Sequence, residues 1–115
     1  MTVATEIPVQ RIAKSKIDTV DFNNLGFGNY ISDHMLVADF KNGKWHQPKI
    51  MPFGELAMTP AILALHYGQS IFEGMKAFKN KAGEIVIFRI QRHHQRLNRS
   101  LERMCMPSIS EEMFT

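Results

Sequence analysis

The pair Asn42-Gly43 constrains this chain more than any other two residues. Both central positions of a type I′ turn need positive φ, which Asn and Gly tolerate, and that turn matches the twist of two antiparallel strands. The flanks agree with a hairpin. Residues 30–40 carry apolar side chains at Ile31, Met35, Leu36, Val37, Ala38 and Phe40, and residues 44–53 return with Trp45, Ile50 and Phe53. Pro48 interrupts the return. It has no N–H to offer a ladder, so it predicts an edge or the end of pairing. A second hairpin follows. Residues 70–79 are rich in strand formers, Asn80-Lys81-Ala82-Gly83 reads as a turn, and residues 84–88, with Ile85, Val86, Ile87 and Phe88, read as a buried-type strand.

Helices fill the spaces between hairpins. Thr59-Pro60 reads as an N-cap followed by a proline at the first helical position, opening a short helix through Ile62, Leu63, Leu65 and His66. The clearest helix covers residues 91–106. Ile90, His94, Leu97, Leu101 and Met104 recur at alternating four and three to form one stripe, while Arg92, Gln95, Arg99, Glu102 and Arg103 cover the other sides. Pro107 is expected to stop it. Ser108 and Glu111 have capping-box spacing, and Ser110 is an alternative cap; Glu111 and Glu112 suit the positive end of a helix dipole. A further helix is expected to begin there, within about a turn of the last residue, as in a piece cut from a longer protein.

Hairpin-joined strands interleaved with helices predict an α+β fold: an antiparallel sheet of hairpins with helices packed on one side. Residues 1–20 read as an N-terminal lead-in, with Ile7, Val9 and Ile12 able to add a short edge strand, and residues 21–115 read as one small domain. At 115 residues, one modest core is the most the chain can build. The segment Asn23-Asn24-Leu25-Gly26-Phe27-Gly28-Asn29 is a tight loop whose ring, Phe27, is either folded onto a core or offered to a ligand.

The net charge of +3 permits an anionic ligand without demanding nucleic acid. The Arg92, Arg96, Arg99 and Arg103 face lacks a surrounding readout motif, so no nucleic-acid partner is expected. A single cysteine, Cys105, excludes an intrachain disulfide and fits a reduced, cytoplasmic setting. No apolar run suits a membrane span, and Glu6, Gln10, Arg11, Lys14 and Lys16 break up any signal-peptide core. No metal site is expected, because the adjacent His93 and His94 point apart on a helix and one cysteine adds little.

The candidates for chemistry are few. Arg96 sits at the edge of the apolar stripe, where it is either a solvated helix arginine or a rigid fork of donors aimed at a phosphate or carboxylate. Tyr67 and Phe72, around Gly68, either pack or line a pocket. His94, on the stripe, reads as a satisfied core histidine or one near a ligand.

Read together, these segments resemble a known family. Asp33-His34-Met35-Leu36, then Leu65-His66-Tyr67-Gly68-Gln69-Ser70-Ile71-Phe72-Glu73-Gly74-Met75-Lys76-Ala77-Phe78, then Phe88-Arg89, Arg96-Leu97-Asn98-Arg99-Ser100 and Arg103-Met104-Cys105-Met106-Pro107 are similar to the branched-chain amino-acid aminotransferases, in that family's order and spacing. The resemblance runs from Phe27 to Pro107 and departs at Leu101, where the family commonly has a small alanine. It implies a fold-type IV pyridoxal-phosphate enzyme, with this chain as its incomplete N-terminal small domain. It implies transfer of the amino group of leucine, isoleucine or valine to 2-oxoglutarate, with a homodimer as the working form. Arg96 matches the arginine that binds the phosphate of pyridoxal 5'-phosphate. Phe27, Tyr67 and Phe72 match rings of the pocket for the branched side chain, and Tyr67 is expected to reach the neighbouring subunit's site. The catalytic lysine of the family falls beyond Thr115, so no catalytic residue is expected within the chain and the chain alone is expected to be inactive. The alternative is a non-catalytic binding or dimerisation domain of the same fold.

Overall fold

A computed structural model describes residues 6–115, so the first five residues of the predicted lead-in lie outside the described residues. The chain divides into two units, Met1–Ala57 and Met58–Thr115.

The first unit is built on the predicted Asn-Gly hairpin. Strand β1 (His34–Val37) pairs antiparallel with β4 (Lys49–Pro52), and β2 (Phe40–Lys41) pairs with β3 (Lys44–Trp45) around the turn. Asn42 and Gly43 have φ of 53° and 75°, as a type I′ turn requires. The predicted strand over residues 30–40 therefore becomes two short ones, and the cause lies opposite. The His46 N–H donates to the Asp39 carbonyl at 2.8 Å, and Val37 then faces Lys49, so Gln47 and Pro48 together oppose Ala38. That is a β-bulge at the proline. Near the turn, the paired Phe40 and Trp45 rings meet edge-on, 5.3 Å between centroids.

The expected edge strand through Ile7, Val9 and Ile12 shrinks to a single parallel bridge from Val9 to Ile50. Two hydrogen bonds secure it, Gln10 N–H to the Ile50 carbonyl and Ile50 N–H to the Pro8 carbonyl, both 2.9 Å. Pro8 itself has no N–H to extend the ladder. Side chains then tie the lead-in down. Asp33 accepts from Ser15 Oγ at 2.6 Å and from the Lys16 N–H at 3.1 Å, and these bonds hold its carboxyl below the usual range, the serine contributing most. Gly26 and Gly28 have φ of 63° and 74°, so the loop around Phe27 has the backbone its composition predicts.

In the second unit, α1 (Leu63–Tyr67) starts later than predicted. Thr59 does not cap it. The threonine closes a turn before the helix, its carbonyl accepting from the Ile62 N–H at 3.1 Å, and the N-cap position is Ile62 with no side-chain cap. Gly68, left-handed at φ 63°, ends the helix.

Strands β5 (Ala77–Lys79) and β6 (Ile85–Ile87) form the second predicted hairpin. Asn80 Oδ1 shapes its turn, accepting from the Ala82 and Glu84 N–H groups at 2.9 Å each. Here two expectations are corrected. Pairing is limited to three residues a side, and β6 is exposed rather than buried: Ile85 is 68% accessible and Phe88 73%. A two-stranded ribbon covers neither of its own faces, and no element among the described residues covers this one.

Helix α2 (Ile90–Arg103) carries the predicted stripe, and Leu97 and Leu101, at 8% and 4% accessible, are the buried residues among those described. The helix ends before Pro107 can stop it. Met106 N–H reaches back to the Leu101 carbonyl at 2.9 Å and Cys105 N–H to the Glu102 carbonyl at 3.1 Å, with Cys105 left-handed at φ 53°. These bonds make a Schellman ending. Helix α3 (Glu111–Phe114) follows, capped by Ser110 Oγ, which accepts from the Met113 N–H. The segment leading into it is clasped to α2. Asn98 Oδ1 accepts from the Ile109 N–H and Asn98 Nδ2 donates to the Ile109 carbonyl, both 2.9 Å; His94 Nε2 lies 2.7 Å from that same carbonyl. The His94 ring also packs against Phe114, so His94 is a half-buried histidine whose hydrogen bonding is satisfied.

Antiparallel hairpins and helices are thus present as an α+β reading expects. The strands, however, form three separate two-stranded pairings among the described residues, rather than one sheet with helices along a face. No helix among them is long and apolar enough to cross a membrane.

Candidate active site

Helix α2 begins directly after β6, with Arg89 as the single left-handed residue of the junction at φ 55°. Its first two turns place His93 and Arg96, three residues apart, on neighbouring positions of one face. Opposite them lies Glu73, from the unpaired stretch between α1 and β5. Arg96 Nε donates to Glu73 Oε2 at 2.7 Å, Arg96 Nη2 donates to Oε1, and His93 Nδ1 lies 2.9 Å from Oε1. The Gly74 N–H adds a further bond to Oε1 at 3.1 Å. Four donors meet one carboxylate, which is about its full acceptor capacity.

The consequences follow from charge. The Glu73 side chain is 6% accessible, screened by its own partners. Hydrogen bonds from Arg96 and then His93 hold its pKa down to about 2, so it is an anion at any ordinary pH. The same pairing raises the Arg96 pKa. Arg96 has five N–H donors and spends two on Glu73. Its Nη1 meets no acceptor among the described residues, and the side chain stays 58% accessible. Arg96 also lines a cavity of about 430 Å³, together with Ser70, Arg99, Ser100 and Arg103 among others. Three guanidinium groups and two hydroxyls make this a place for an anion. A larger cavity of about 680 Å³, on the α2 side that carries His94 and Asn98, has no comparable concentration of cations.

The aromatic candidates stand differently. Tyr67 is the last residue of α1 and 82% accessible, and Phe72 is 94% accessible beside the inward Glu73. Phe27 belongs to the first unit, fully accessible on its glycine loop. None of the three rings lines the arginine cavity. Leu101, the residue that departs from the family pattern, is the most buried of the described residues at 4% accessible.

Reading the sequence singled out Arg96 but not its two partners. The signal for His93 was its three-residue spacing from Arg96 on a helix. Glu73 lies within the 65–78 segment that carries the family resemblance, and no local periodicity marks it.

No protein-family model matches the chain. Comparison with curated proteins is more informative. The chain is 45% identical over 94 residues to branched-chain-amino-acid transaminase 1 of Bacillus subtilis (strain 168), covering 81% of this chain and 26% of that protein. It is 45% identical over 112 residues to a probable branched-chain-amino-acid aminotransferase of Staphylococcus aureus (strain MRSA252), covering 96% and 30% respectively. A branched-chain-amino-acid aminotransferase of Mycolicibacterium smegmatis is 41% identical over 92 residues, 79% of this chain and 25% of that protein. The chain spans between 25% and 30% of the length of these relatives. Over most of its own length, the chain is a homologue of a segment of the branched-chain-amino-acid aminotransferases.

Proposed function

We propose that the chain is part of a branched-chain amino-acid transaminase that uses pyridoxal 5'-phosphate, and that it is the incomplete small domain of the fold-type IV architecture. The observation that carries this reading is the identity of 40% or more, along most of the chain, to aminotransferases of branched-chain amino acids. The donor set is chemically apt. Arg96, flanked by Arg99, Arg103 and two serine hydroxyls, suits a dianionic phosphate better than a neutral ligand. Bound there, the cofactor would supply the electron sink that amino-group transfer needs.

In this reading Arg96 anchors the phosphate, and Phe27, Tyr67 and Phe72 give apolar surface to the wall that holds a branched side chain. Each methylene buried on such a wall contributes about 0.8 kcal/mol, which is how leucine, isoleucine and valine are preferred over shorter acids. The lysine that moves the substrate proton comes from sequence this chain does not span, as does the rest of the pocket. The whole protein works in the cytoplasm as a homodimer, with Tyr67 directed to the partner's site, and 2-oxoglutarate accepts the amino group.

The test is expression from the complete reading frame. The product is expected to bind pyridoxal 5'-phosphate and to convert leucine, isoleucine and valine with 2-oxoglutarate to the branched 2-oxo acids and glutamate, while residues 1–115 alone show no turnover. A complete product that neither binds the cofactor nor transaminates would instead support a non-catalytic binding or dimerising role.

A further inference from the structure

We infer that Glu73 is a positioning residue: through its two bonds to Arg96, and with His93 bracing it from the other side, it fixes the guanidinium plane so that the remaining donors of Arg96 face the anion cavity. The inference rests on the reading of Arg96 as the phosphate anchor.

The argument begins with a conflict of charge. A carboxylate close to a phosphate site repels the ligand, so an exposed glutamate there would weaken binding. Glu73 is neither exposed nor available. Four donors surround it, three on Oε1 and one on Oε2, and two of the four come from Arg96. The negative charge is therefore largely spent on Arg96 and His93, and Oε1 in particular has no capacity left for a ligand. What Glu73 changes is the freedom of Arg96. An arginine on an exposed helix face carries rotamer entropy that a ligand must otherwise remove on binding. Two parallel bonds to Nε and Nη2 remove it beforehand and leave Nη1 directed away from the pair. His93 is needed because Glu73 belongs to an unpaired stretch. Its Nδ1 at 2.9 Å from Oε1 ties the carboxylate to the helix that bears the arginine. Arg96 and its brace thus move as one body.

Equilibrium binding of two probes to the complete protein tests this: pyridoxal 5'-phosphate, and pyridoxal, which lacks the phosphate. Glu73→Gln keeps the size of the side chain and removes its charge and one acceptor oxygen. It is expected to weaken pyridoxal 5'-phosphate binding about tenfold and to leave pyridoxal binding unchanged. In an Arg96→Met background the same substitution should have no further effect, because the two residues act as a unit. Glu73→Asp, which keeps the charge with a shorter reach, should recover part of the loss. It serves as the readout if Glu73→Gln fails to fold, a twofold to fivefold loss confined to the phosphorylated probe again being the expected result. Equal weakening of both probes would mean a merely structural role and overturn the inference. So would additive effects of Glu73→Gln and Arg96→Met. If Arg96→Met alone leaves pyridoxal 5'-phosphate affinity unchanged, the anchor reading itself is wrong, a failure separate from that of the positioning role.

Discussion

Helix α2 and hairpin strand β6 adjoin in sequence, joined at Arg89, and both carry strong apolar signals. Only one of them is buried. α2 sets Leu97 and Leu101 inside, with α3 packed on it, while Ile85, Val86, Ile87 and Phe88 are all exposed. The difference is one of cover. A helix stripe needs only one neighbouring segment, and residues 108–114 meet α2 at His94 on the stripe and at Asn98 beside it. A two-stranded ribbon has two wide faces and needs a layer on at least one of them. An apolar pattern therefore states which surface asks for burial, and the presence of a partner decides whether burial happens.

The largest effect that can break this comparison is at Leu101. Leu101→Ala is expected to cost about 2–5 kcal/mol, enough to abolish cooperative unfolding of a chain with so small a core. Val86→Ala on the exposed ribbon should shift the transition by about 0.5 kcal/mol or less. Denaturant titration followed by helical circular dichroism reads both. Comparable losses at the two sites would mean that β6 is covered in solution, and the contrast between helix and ribbon would collapse.

Next in size is the clasp itself. Asn98→Ala leaves the Ile109 N–H without its side-chain partner and its carbonyl with His94 alone, and is expected to cost about 1–3 kcal/mol. Hydrogen exchange should show faster opening of residues 108–114, with the β5–β6 turn amides unaffected. A change confined to the hairpin would place the cover of α2 somewhere else.

Acid sharpens the contrast by a different route. In the folded chain the pKa of Glu73 is held down to about 2, against an ordinary value of 4.5. A carboxyl depressed on folding contributes stability that is fully present above the higher value and is lost as pH falls towards the lower one. The loss is therefore expected between about pH 4.5 and pH 2, and it should vanish in Glu73→Gln. Arg96 is more than half exposed, so solvent screening keeps the effect modest. Thermal midpoints across that window, for both proteins, give the answer; parallel curves would show that the pair contributes nothing to folding.

How far the sequence revealed all this depended on range. Asn42-Gly43, Asn80 with Gly83, and the α2 stripe act within a few residues, and each forms as its local chemistry predicts. The β-bulge at Pro48 was half legible: the proline signalled a break, but the slip in register depends on what lies across the ladder. Thr59-Pro60 has the composition of a helix start and instead makes the preceding turn, because a threonine bonds equally well to a turn amide. The candidate site divides the same way. Arg96 was visible from its place on the stripe and from the family resemblance. Glu73 was not, because its bond to Arg96 spans 23 residues and no local periodicity marks it.

The smallest expected effect compares how the two regions end. The β5–β6 turn places Gly83 at φ 85°, and α2 ends with Cys105 at φ 53°. An L side chain in the left-handed region costs about 1–2 kcal/mol, and glycine avoids that cost. Glycine also has more freedom to lose on folding, which offsets roughly half of the gain. Cys105→Gly is thus expected to stabilise the chain by about 0.5 kcal/mol, and Gly83→Ala to destabilise the hairpin by about 1 kcal/mol. The two changes should also report on different places, since the Schellman bonds of Cys105 and Met106 close a helix whose core is formed, whereas the hairpin turn supports only three residues a side. If Gly83→Ala shifts the global transition as much as Leu101→Ala does, the ribbon is part of the cooperative core after all, and its exposed valine and isoleucines have found a cover in solution.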